Sequence, residues 1–321
     1  MVPEQDWQLH PSQRDLGFDL AERLAGMVSL RSQIPADALS AQSLGTDRSG
    51  NGVLIENSGL ILTIGYLITE AETIWITDYQ GRVSQGMLTA YDQRTGFGLA
   101  QSLTTTDLPA VPLGDSGAIQ PGEQVIVCGS GDADQVINAL VTAKREFAGY
   151  WEYVLDEAIF TAPAHPNWGG AAMLNSAGQL CGIGSLLVQQ VTQSGETIAG
   201  NMIVPIDILK PNLDDLKTYG MQRQPPRPWM GMLVQESSEG LTVVGLHDQG
   251  PAQEAGIQVE DRLIALEGLP VEGLANLFRR VWATGPAGCT LKFAIQRNDR
   301  LLDIELKTID RNARQKTGTV H

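Results

Sequence analysis

The chain has 321 residues, of which 42% are hydrophobic, 18% are charged and 35 are glycine. This length exceeds one small domain, and this composition is typical of a loop-rich, β-dominated globular protein. The net charge of -15 argues against nucleic acid or an anionic membrane surface as the main partner, because both would repel the protein.

The N-terminal residues carry charges where a secretory signal would need a continuous apolar core. The most apolar stretch, residues 60–68, is too short to span a bilayer. We therefore expect no membrane span. The sequence as written predicts a cytoplasmic location, whereas a misassigned start codon would allow an export signal and a periplasmic location.

Residues 17–32 have apolar side chains at roughly helical spacing, and Pro35 marks the end of the helix that this spacing predicts. We assign residues 1–45 to an N-terminal helical segment. From about residue 50 to residue 205, short apolar runs alternate with Gly, Asn and Asp. Many short strands with frequent turns are typical of a β-sandwich or a pair of β-barrels.

Residues 213–228 are polar and close with three prolines, which is typical of a linker. Residues 229–309 then have the pattern of a small domain with two strands, a helix and further strands. The tail, residues 310–321, has no means of burying itself, and we expect it to be disordered.

Three cysteines and four histidines are scattered along the chain without CxxC or metal-ligand spacing. The sequence therefore predicts no disulfide framework, no metal site and no cofactor. Cys128 and Cys181 lie inside apolar strand runs, where a buried and inert thiol is the usual state.

Four segments carry a specific resemblance: NGVLIENSGLILT (51–63), LPAVPLGDSGAIQPGEQVIVCGSG (108–131), NWGGAAMLNSAGQLCGIGS (167–185), and WMGMLVQ with GPAQEAGIQVEDRLIALEGLPV (229–271). In this order they resemble the HtrA/DegP family of serine proteases. The resemblance implies a mainly β fold. It implies a trypsin-like double Greek-key β-barrel over residues 46–212, with barrels at about 46–112 and 113–212, followed by a PDZ domain.

The family's catalytic residues are replaced at each matching position. Tyr66 stands where the family has its histidine base, Gly96 where it has aspartate, and Trp168 where it has the serine nucleophile. A tyrosine hydroxyl, which titrates near pH ~10, is a poor proton acceptor, and an indole has no nucleophilic oxygen. Pro166 matches the glycine whose N–H binds the oxyanion, and proline has no N–H. Losing one such donor costs roughly 3–4 kcal/mol of transition-state stabilisation.

Two interpretations remain open for the aromatic replacements. Tyr66 and Trp168 either fill the vacated cleft or form a peptide-binding surface. We interpret His165 as a loop residue rather than a displaced base, because no Ser or Cys is adjacent to it in sequence. The aromatic segment FAGYWEY (147–153) is either core packing or a partner-binding loop.

In PDZ domains an X-Φ-G-Φ loop presents backbone N–H groups to the terminal carboxylate of a peptide, which adds as a strand beside an α-helix. The residues that match this loop are Trp229, Met230, Gly231 and Met232. Apolar spacing predicts the helix at 273–283, with Leu277 and Val281 lining the peptide groove. Residues 259–261, Val-Glu-Asp, depart from the family's Pro-Gly-Asp turn. The competing interpretation is a purely structural PDZ domain.

Two classes of function compete. The favoured one is a pseudoprotease, a non-catalytic binding or scaffold protein that holds protein C-termini or extended peptides, alone or in assembly with an active relative. The alternative is an active serine endopeptidase with a non-standard site. A third interpretation is an assembly protein in which residues 1–45 mediate oligomers, as N-terminal segments do in HtrA trimers.

Overall fold

A computed structural model describes residues 8–104, 107–131, 133–191 and 195–316. The chain forms two units. The first contains the residues up to Arg145 together with Glu157–Gln222, and the second contains Glu146–Asp156 and Arg223–Lys316. The short segment Glu146–Asp156 therefore belongs to the second unit, although it lies in sequence between two stretches of the first.

Six strands of the first unit close into an antiparallel barrel in the order β1-β2-β3-β6-β5-β4. These strands are β1 (Met27–Gln33), β2 (Asp47–Glu56), β3 (Leu60–Ile64), β4 (Thr73–Thr77), β5 (Val83–Tyr91) and β6 (Phe97–Ser102). Strand β3, LILTI, is apolar at every position except Thr63 and is buried along its whole length.

A second closed barrel follows, in the order β10-β11-β12-β9-β8-β7. Its strands are β7 (Gln124–Cys128), β8 (Val136–Gly149), β9 (Tyr153–Ala162), β10 (Ala172–Leu174), β11 (Leu180–Val191) and β12 (Thr197–Pro205). Cys128 and Cys181 are free thiols buried in its strands. Together the two barrels confirm the mainly β, trypsin-like fold expected from the sequence.

The N-terminal helix is present but shorter than predicted. Helix α1 spans Leu20–Ala25, and its N-cap Asp19 accepts hydrogen bonds from two backbone N–H groups of the first turn. Residues Met27–Gln33 form strand β1 of the first barrel, so the helical prediction for residues 17–32 was wrong there. Pairing with both β2 and β4 overrides a local apolar pattern that also fits a helix.

Two further helices of the first unit are short, α2 (Ala41–Leu44) and α3 (Leu213–Tyr219). Helix α3 takes up the first part of the predicted linker, so the linker prediction was wrong for those residues. The helix buries Leu216 and ends at Gly220, whose φ of 71° is the left-handed conformation of a C-cap.

The second unit contains a sheet in the order β13-β14-β15-β17-β18, with β16 paired to β15. Its strands are β13 (Met232–Ser237), β14 (Gly240–Leu246), β15 (Arg262–Leu266), β16 (Leu269–Pro270), β17 (Thr290–Arg297) and β18 (Arg300–Lys307). Its helices are α4 (Pro251–Glu254) and α5 (Leu274–Thr284). Helix α5 agrees with the predicted helix within one residue and buries its apolar face in the core of the unit.

An ion pair between the buried Asp261 and the partly exposed Arg297 fixes the turn that departs from the family's pattern. Glu260 has a φ of 75°, a conformation uncommon for residues other than glycine. The next residue, Asp261, is buried, and both of its carboxylate oxygens accept hydrogen bonds of 2.6 Å from the Arg297 guanidinium. Asp261 also accepts from the backbone N–H of Gln258, so the carboxylate closes the turn.

The end of the described chain is partly ordered. Arg311–Arg314 form one turn of 3-10 helix, so the expectation of a disordered tail was wrong for these residues. Residues 317–321 of that tail, and residues 1–7 of the N-terminal segment, lie outside the described residues. Within the described ranges, no helix is both long enough and apolar enough to cross a bilayer.

We expect Arg297→Ala to destabilise the second unit by about 2 kcal/mol, because Asp261 would stay buried without its ion pair. The matched control is Lys292→Ala on the same strand. The Lys292 ammonium lies 3.8 Å from Glu305 in an exposed pair, which is worth about 1 kcal/mol or less. Hydrogen exchange of the β15 and β17 amides measures both effects, and equal losses would contradict the prediction.

Candidate functional site

Three of the four positions that match the family's catalytic residues line one cleft of about 450 Å³ in the first unit. Tyr66, Pro166 and Trp168 lie in its wall, together with the glycine and asparagine of strand β2, Gly50 and Asn51. The fourth, Gly96, does not line this cleft. It lies next to it, because its carbonyl accepts a 2.7 Å hydrogen bond from the N–H of Gly65, the residue before Tyr66.

Tyr66 is held by the 3-10 turn Gly65–Leu67 that follows strand β3. Its hydroxyl donates a 2.9 Å hydrogen bond to the carbonyl of Ser185 on β11. Burial raises the pKa of Tyr66, and a hydrogen-bonding interaction with the Trp168 side chain opposes this rise only in part. The phenol therefore keeps its proton at neutral pH, and its O–H is engaged in a hydrogen bond to a backbone carbonyl.

The loop between β9 and β10 carries Pro166 and Trp168. Pro166 is exposed, and the Trp168 side chain is half-buried beside Tyr66. Gly170 has a φ of 78°, and a Cβ there would lie 1.9 Å from the carbonyl oxygen of Asn51. Only glycine fits this position, and the close approach lays the loop directly on strand β2.

Asn51 joins three segments around the cleft, and the sequence analysis did not single it out. Its side-chain amide donates to the carbonyls of Asn167 and Gly169 at 2.7 and 3.1 Å. Its side-chain oxygen accepts from the backbone N–H and the hydroxyl of Ser130. The Asn-Gly pair at 51–52 can be seen in the sequence, but only the fold shows which backbone carbonyls accept hydrogen bonds from the Asn51 amide.

His165 is buried in this loop, and both ring nitrogens have backbone partners. Nε2 lies 2.9 Å from the carbonyl oxygen of Gln135, and Nδ1 lies 3.1 Å from the N–H of Asn167. The imidazole is therefore neutral, with Nε2 donating and Nδ1 accepting. Burial lowers its pKa, which agrees with a structural loop residue.

The predicted PDZ loop presents its N–H groups to a carboxylate of the chain itself. The N–H of Gly231 donates to Oε1 of Glu152 at 2.9 Å, and the N–H of Met230 lies 3.2 and 3.0 Å from the two carboxylate oxygens. Glu152 belongs to the β8–β9 hairpin and is almost fully buried. The sequence analysis flagged this hairpin for its aromatic residues and missed the carboxylate.

The other predicted groove residues are buried as well. Trp229 and Met232 are 3% and 0% exposed, and Leu277 and Val281 on helix α5 are fully buried. The core cluster that contains Met232, Leu277 and Val281 also contains Val154 of the same hairpin. In this structure the groove between the loop and α5 is therefore covered by residues 146–156.

Comparison with known proteins matches this architecture. The profile of a trypsin-like peptidase domain matches residues 50–183, and that of a PDZ domain matches residues 228–308. A probable periplasmic DegP-like serine endoprotease of Pseudomonas putida (strain W619) is 30% identical over 300 residues. The chain belongs to the HtrA type of trypsin-fold, PDZ-containing proteins.

The HtrA-type chain does not span the whole of this relative. The aligned residues are 87% of the chain but 59% of the Pseudomonas putida protein. A putative serine protease, HhoA, of Synechocystis sp. is 26% identical, with 81% of the chain and 70% of that protein covered. The Pseudomonas putida protein is named as periplasmic, and the periplasm is the alternative location that the sequence analysis considered for this chain.

Solved structures share the fold of this HtrA-type chain. The HtrA-type protease AlgW with a decapeptide has a TM-score of 0.54 at 19% identity, covering 91% of the chain and 97% of AlgW. The serine endoprotease from Yersinia pestis has a TM-score of 0.51 at 21% identity, covering 91% and 96%. At these identities the likeness concerns the fold alone.

Titration of Glu152 is shifted by its surroundings. Burial raises its pKa from the usual 4.5 to about 7, while the N–H groups of the loop and the positive charge of Arg311 oppose this shift. A second titratable group beside the loop is the imidazole of His247, which packs on Trp229. Burial, followed by the charge of Arg311, lowers the pKa of His247 to about 4.

Among the described residues, no group of three or more potential ligands could hold a metal ion.

We expect the stabilising contribution of Glu152 to fall as pH rises. Its pKa in the folded protein lies above the unfolded value, so the contribution is complete below pH 4.5 and is lost as pH rises to about 7. The shift corresponds to at most about 3 kcal/mol. Urea unfolding from pH 4.5 to 7.5, for the wild type and for Glu152→Gln, measures this change.

Glu152→Gln is the matched reference because glutamine has the same shape and does not titrate. His165 and His247 titrate with the opposite sign, since their pKa values are lowered by folding, but both proteins share them. The difference between the two stability profiles therefore isolates Glu152. A difference that stays flat or rises with pH would contradict the assigned shift.

Proposed function

We propose that this HtrA-type chain is a non-catalytic protein that binds peptides or protein C-termini through its PDZ unit. One observation carries the first half of the proposal. The described residues that line the cleft include three serines, Ser29, Ser49 and Ser130, but no His, Asp, Glu, Lys or Cys. A serine without an adjacent base is a weak nucleophile at neutral pH.

The cleft also has no donor for an oxyanion at the position where the family places one. Pro166 occupies that position and has no N–H. Trp168, at the nucleophile position, lies beside the Tyr66 hydroxyl, so an aromatic pair stands in the cleft wall where the family has its nucleophile and its base. These features support inactivity from three independent requirements of acyl transfer: nucleophile, base and oxyanion donor.

The alternative, an endopeptidase with a non-standard site, would need another base near a cleft serine. His165 is the histidine nearest in sequence to the nucleophile position, and both of its nitrogens already bond the backbone. The Ser130 hydroxyl donates to the side-chain oxygen of Asn51, which is a poor proton acceptor. Neither contact favours a rearranged catalytic pair.

The second half of the proposal rests on the PDZ unit. The loop at Met230 and Gly231 directs two N–H groups at one carboxylate, which is the arrangement that PDZ domains use for a peptide terminus. The carboxylate found there is internal, but the donors and their geometry suit any carboxylate. We therefore propose a free C-terminal carboxylate as the main recognition element of the partner.

We expect no cleavage of casein by the wild type or by Trp168→Ser, from pH 5 to pH 9. Restoring a serine supplies a nucleophile but neither a base nor an oxyanion donor, so the rate stays at the uncatalysed level. Fluorescent casein digestion measures this. Cleavage by the wild type that persists after repurification, and that is lost on Tyr66→Phe, would establish activity and overturn the first half of the proposal.

We expect carboxylate-dependent capture of peptides by the full chain. A display library of random peptides with free C-termini should be enriched on the protein, and the selected peptides should lose at least about tenfold in affinity when synthesised as C-terminal amides. The amide removes the charge and leaves the shape nearly unchanged. Equal affinity of acid and amide would contradict the proposed recognition element.

A further inference from the structure

The tip of the β8–β9 hairpin lies along the edge strand of the PDZ sheet. Strand β13 is at one edge of that sheet and pairs with β14 on its other side. The N–H of Val234 on β13 donates a 2.9 Å hydrogen bond to the carbonyl of Tyr150. This is how an added strand begins to pair with an exposed sheet edge.

Two residues further along the tip, the Glu152 carboxylate accepts the N–H groups of Met230 and Gly231. One short segment therefore makes both kinds of contact expected of a bound peptide terminus: backbone pairing with β13 and a carboxylate in the loop. Val154, in the same hairpin, contributes to the buried cluster of Leu277 and Val281. The apolar core that includes the two groove residues of α5 therefore also includes a residue of the same hairpin.

The conformation of the tip is strained in a way that suits this placement. Glu152 has a φ of 62°, the left-handed region that glycine or asparagine usually occupies in a hairpin. A non-glycine residue held there costs roughly 1–3 kcal/mol. From this position the Glu152 side chain reaches the N–H groups of Met230 and Gly231.

Side-chain contacts stabilise the tip internally and tie its flanks to helix α5. The Trp151 ring stacks on Tyr153, with centroids 5.8 Å apart and an interplanar angle of 12°. The guanidinium of Arg279 on helix α5 pairs with Glu146 and Asp156, which flank the tip. Both pairs are exposed, so each is worth about 1 kcal/mol or less and opposes undocking of the tip only weakly.

We propose that Glu152 is an internal ligand of the PDZ loop, so that a peptide with a free C-terminal carboxylate must displace residues 150–152 before it binds. This inference rests on the proposed peptide-binding function and adds its regulation. The groove is closed by the chain itself. The observed affinity for a peptide is the intrinsic affinity multiplied by the fraction of molecules in which the tip is undocked.

The proposal is tested with a peptide built from the tip. The probe is a fluorescein-labelled peptide of residues 144–151 extended by one terminal valine, whose α-carboxylate takes the place of the Glu152 side chain. The same peptide with a C-terminal amide controls for carboxylate-independent binding. Fluorescence anisotropy with the full chain gives the dissociation constants.

The variant that opens the groove is Glu152→Gly. Glycine suits the left-handed backbone, so the hairpin keeps its turn while the loop loses its internal carboxylate. We expect at least a tenfold lower dissociation constant for the acid probe than with the wild type. Glu267→Gly is the matched control, because Glu267 is also left-handed, with a φ of 51°, and lies in the exposed β15–β16 turn. It should change the dissociation constant less than twofold.

The outcomes separate this inference from the proposed function. Carboxylate-dependent binding with equal affinity for the wild type and Glu152→Gly would overturn the internal-ligand proposal and leave peptide binding standing. If neither protein prefers the acid over the amide, while thermal unfolding shows Glu152→Gly folded, the proposed recognition of C-termini fails as well.

A second measurement needs no variant. Hydrogen exchange of the wild type with saturating probe should deprotect the amides of residues 149–153, while the amides of Met230, Gly231 and Val234 stay protected by the incoming peptide. If the tip stays protected while the probe is bound, displacement does not occur and the proposal is wrong.

Discussion

The closed state of the PDZ loop in the second unit depends on one interaction, the hydrogen bonding of the buried Glu152 carboxylate to that loop. Removing a carboxylate from water is expensive unless hydrogen bonds replace its hydration, and here the N–H groups of Met230 and Gly231 supply them. Those same N–H groups would be unpaired if the tip left and nothing replaced it, which also costs free energy. Each side of the contact thus needs a partner, and the chain provides one for each.

A comparable mutual dependence preserves the cleft of the first unit. The Asn51 side chain bonds the backbone of the loop at Asn167 and Gly169 and the turn at Ser130. The loop at Gly170 approaches the same strand closely enough to require glycine. None of these contacts involves a catalytic group, so the scaffold around the cleft can persist with an aromatic pair at the base and nucleophile positions.

Sequence patterns were informative where one local signal dominated. The apolar spacing of α5 located that helix within one residue, and the four ordered motifs indicated both β-barrels and the PDZ domain. Local patterns failed where strand pairing decided the secondary structure. The apolar spacing of MVSLRSQ also fits a helix, but its pairing with β2 and β4 makes it strand β1. The contacts of Asn51 and Glu152 were out of reach for a different reason. Asn51 contacts residues 79 to 118 positions away, and Glu152 contacts residues 78 and 79 positions away, and no periodicity encodes such partners.

An internal ligand changes what weak binding means for this protein. The tip is held by a few hydrogen bonds, a shared apolar cluster and exposed ion pairs, while the left-handed backbone of Glu152 and the desolvation of its carboxylate oppose docking. The net preference for the docked tip is therefore smaller than the sum of its contacts, and a ligand that binds only the open loop shifts the balance toward it. A peptide that binds the open loop even strongly would then show modest apparent affinity. It follows that low affinity in the intact chain is compatible with a well-formed PDZ site, and that the balance at Glu152 sets how much of the intrinsic affinity is observed.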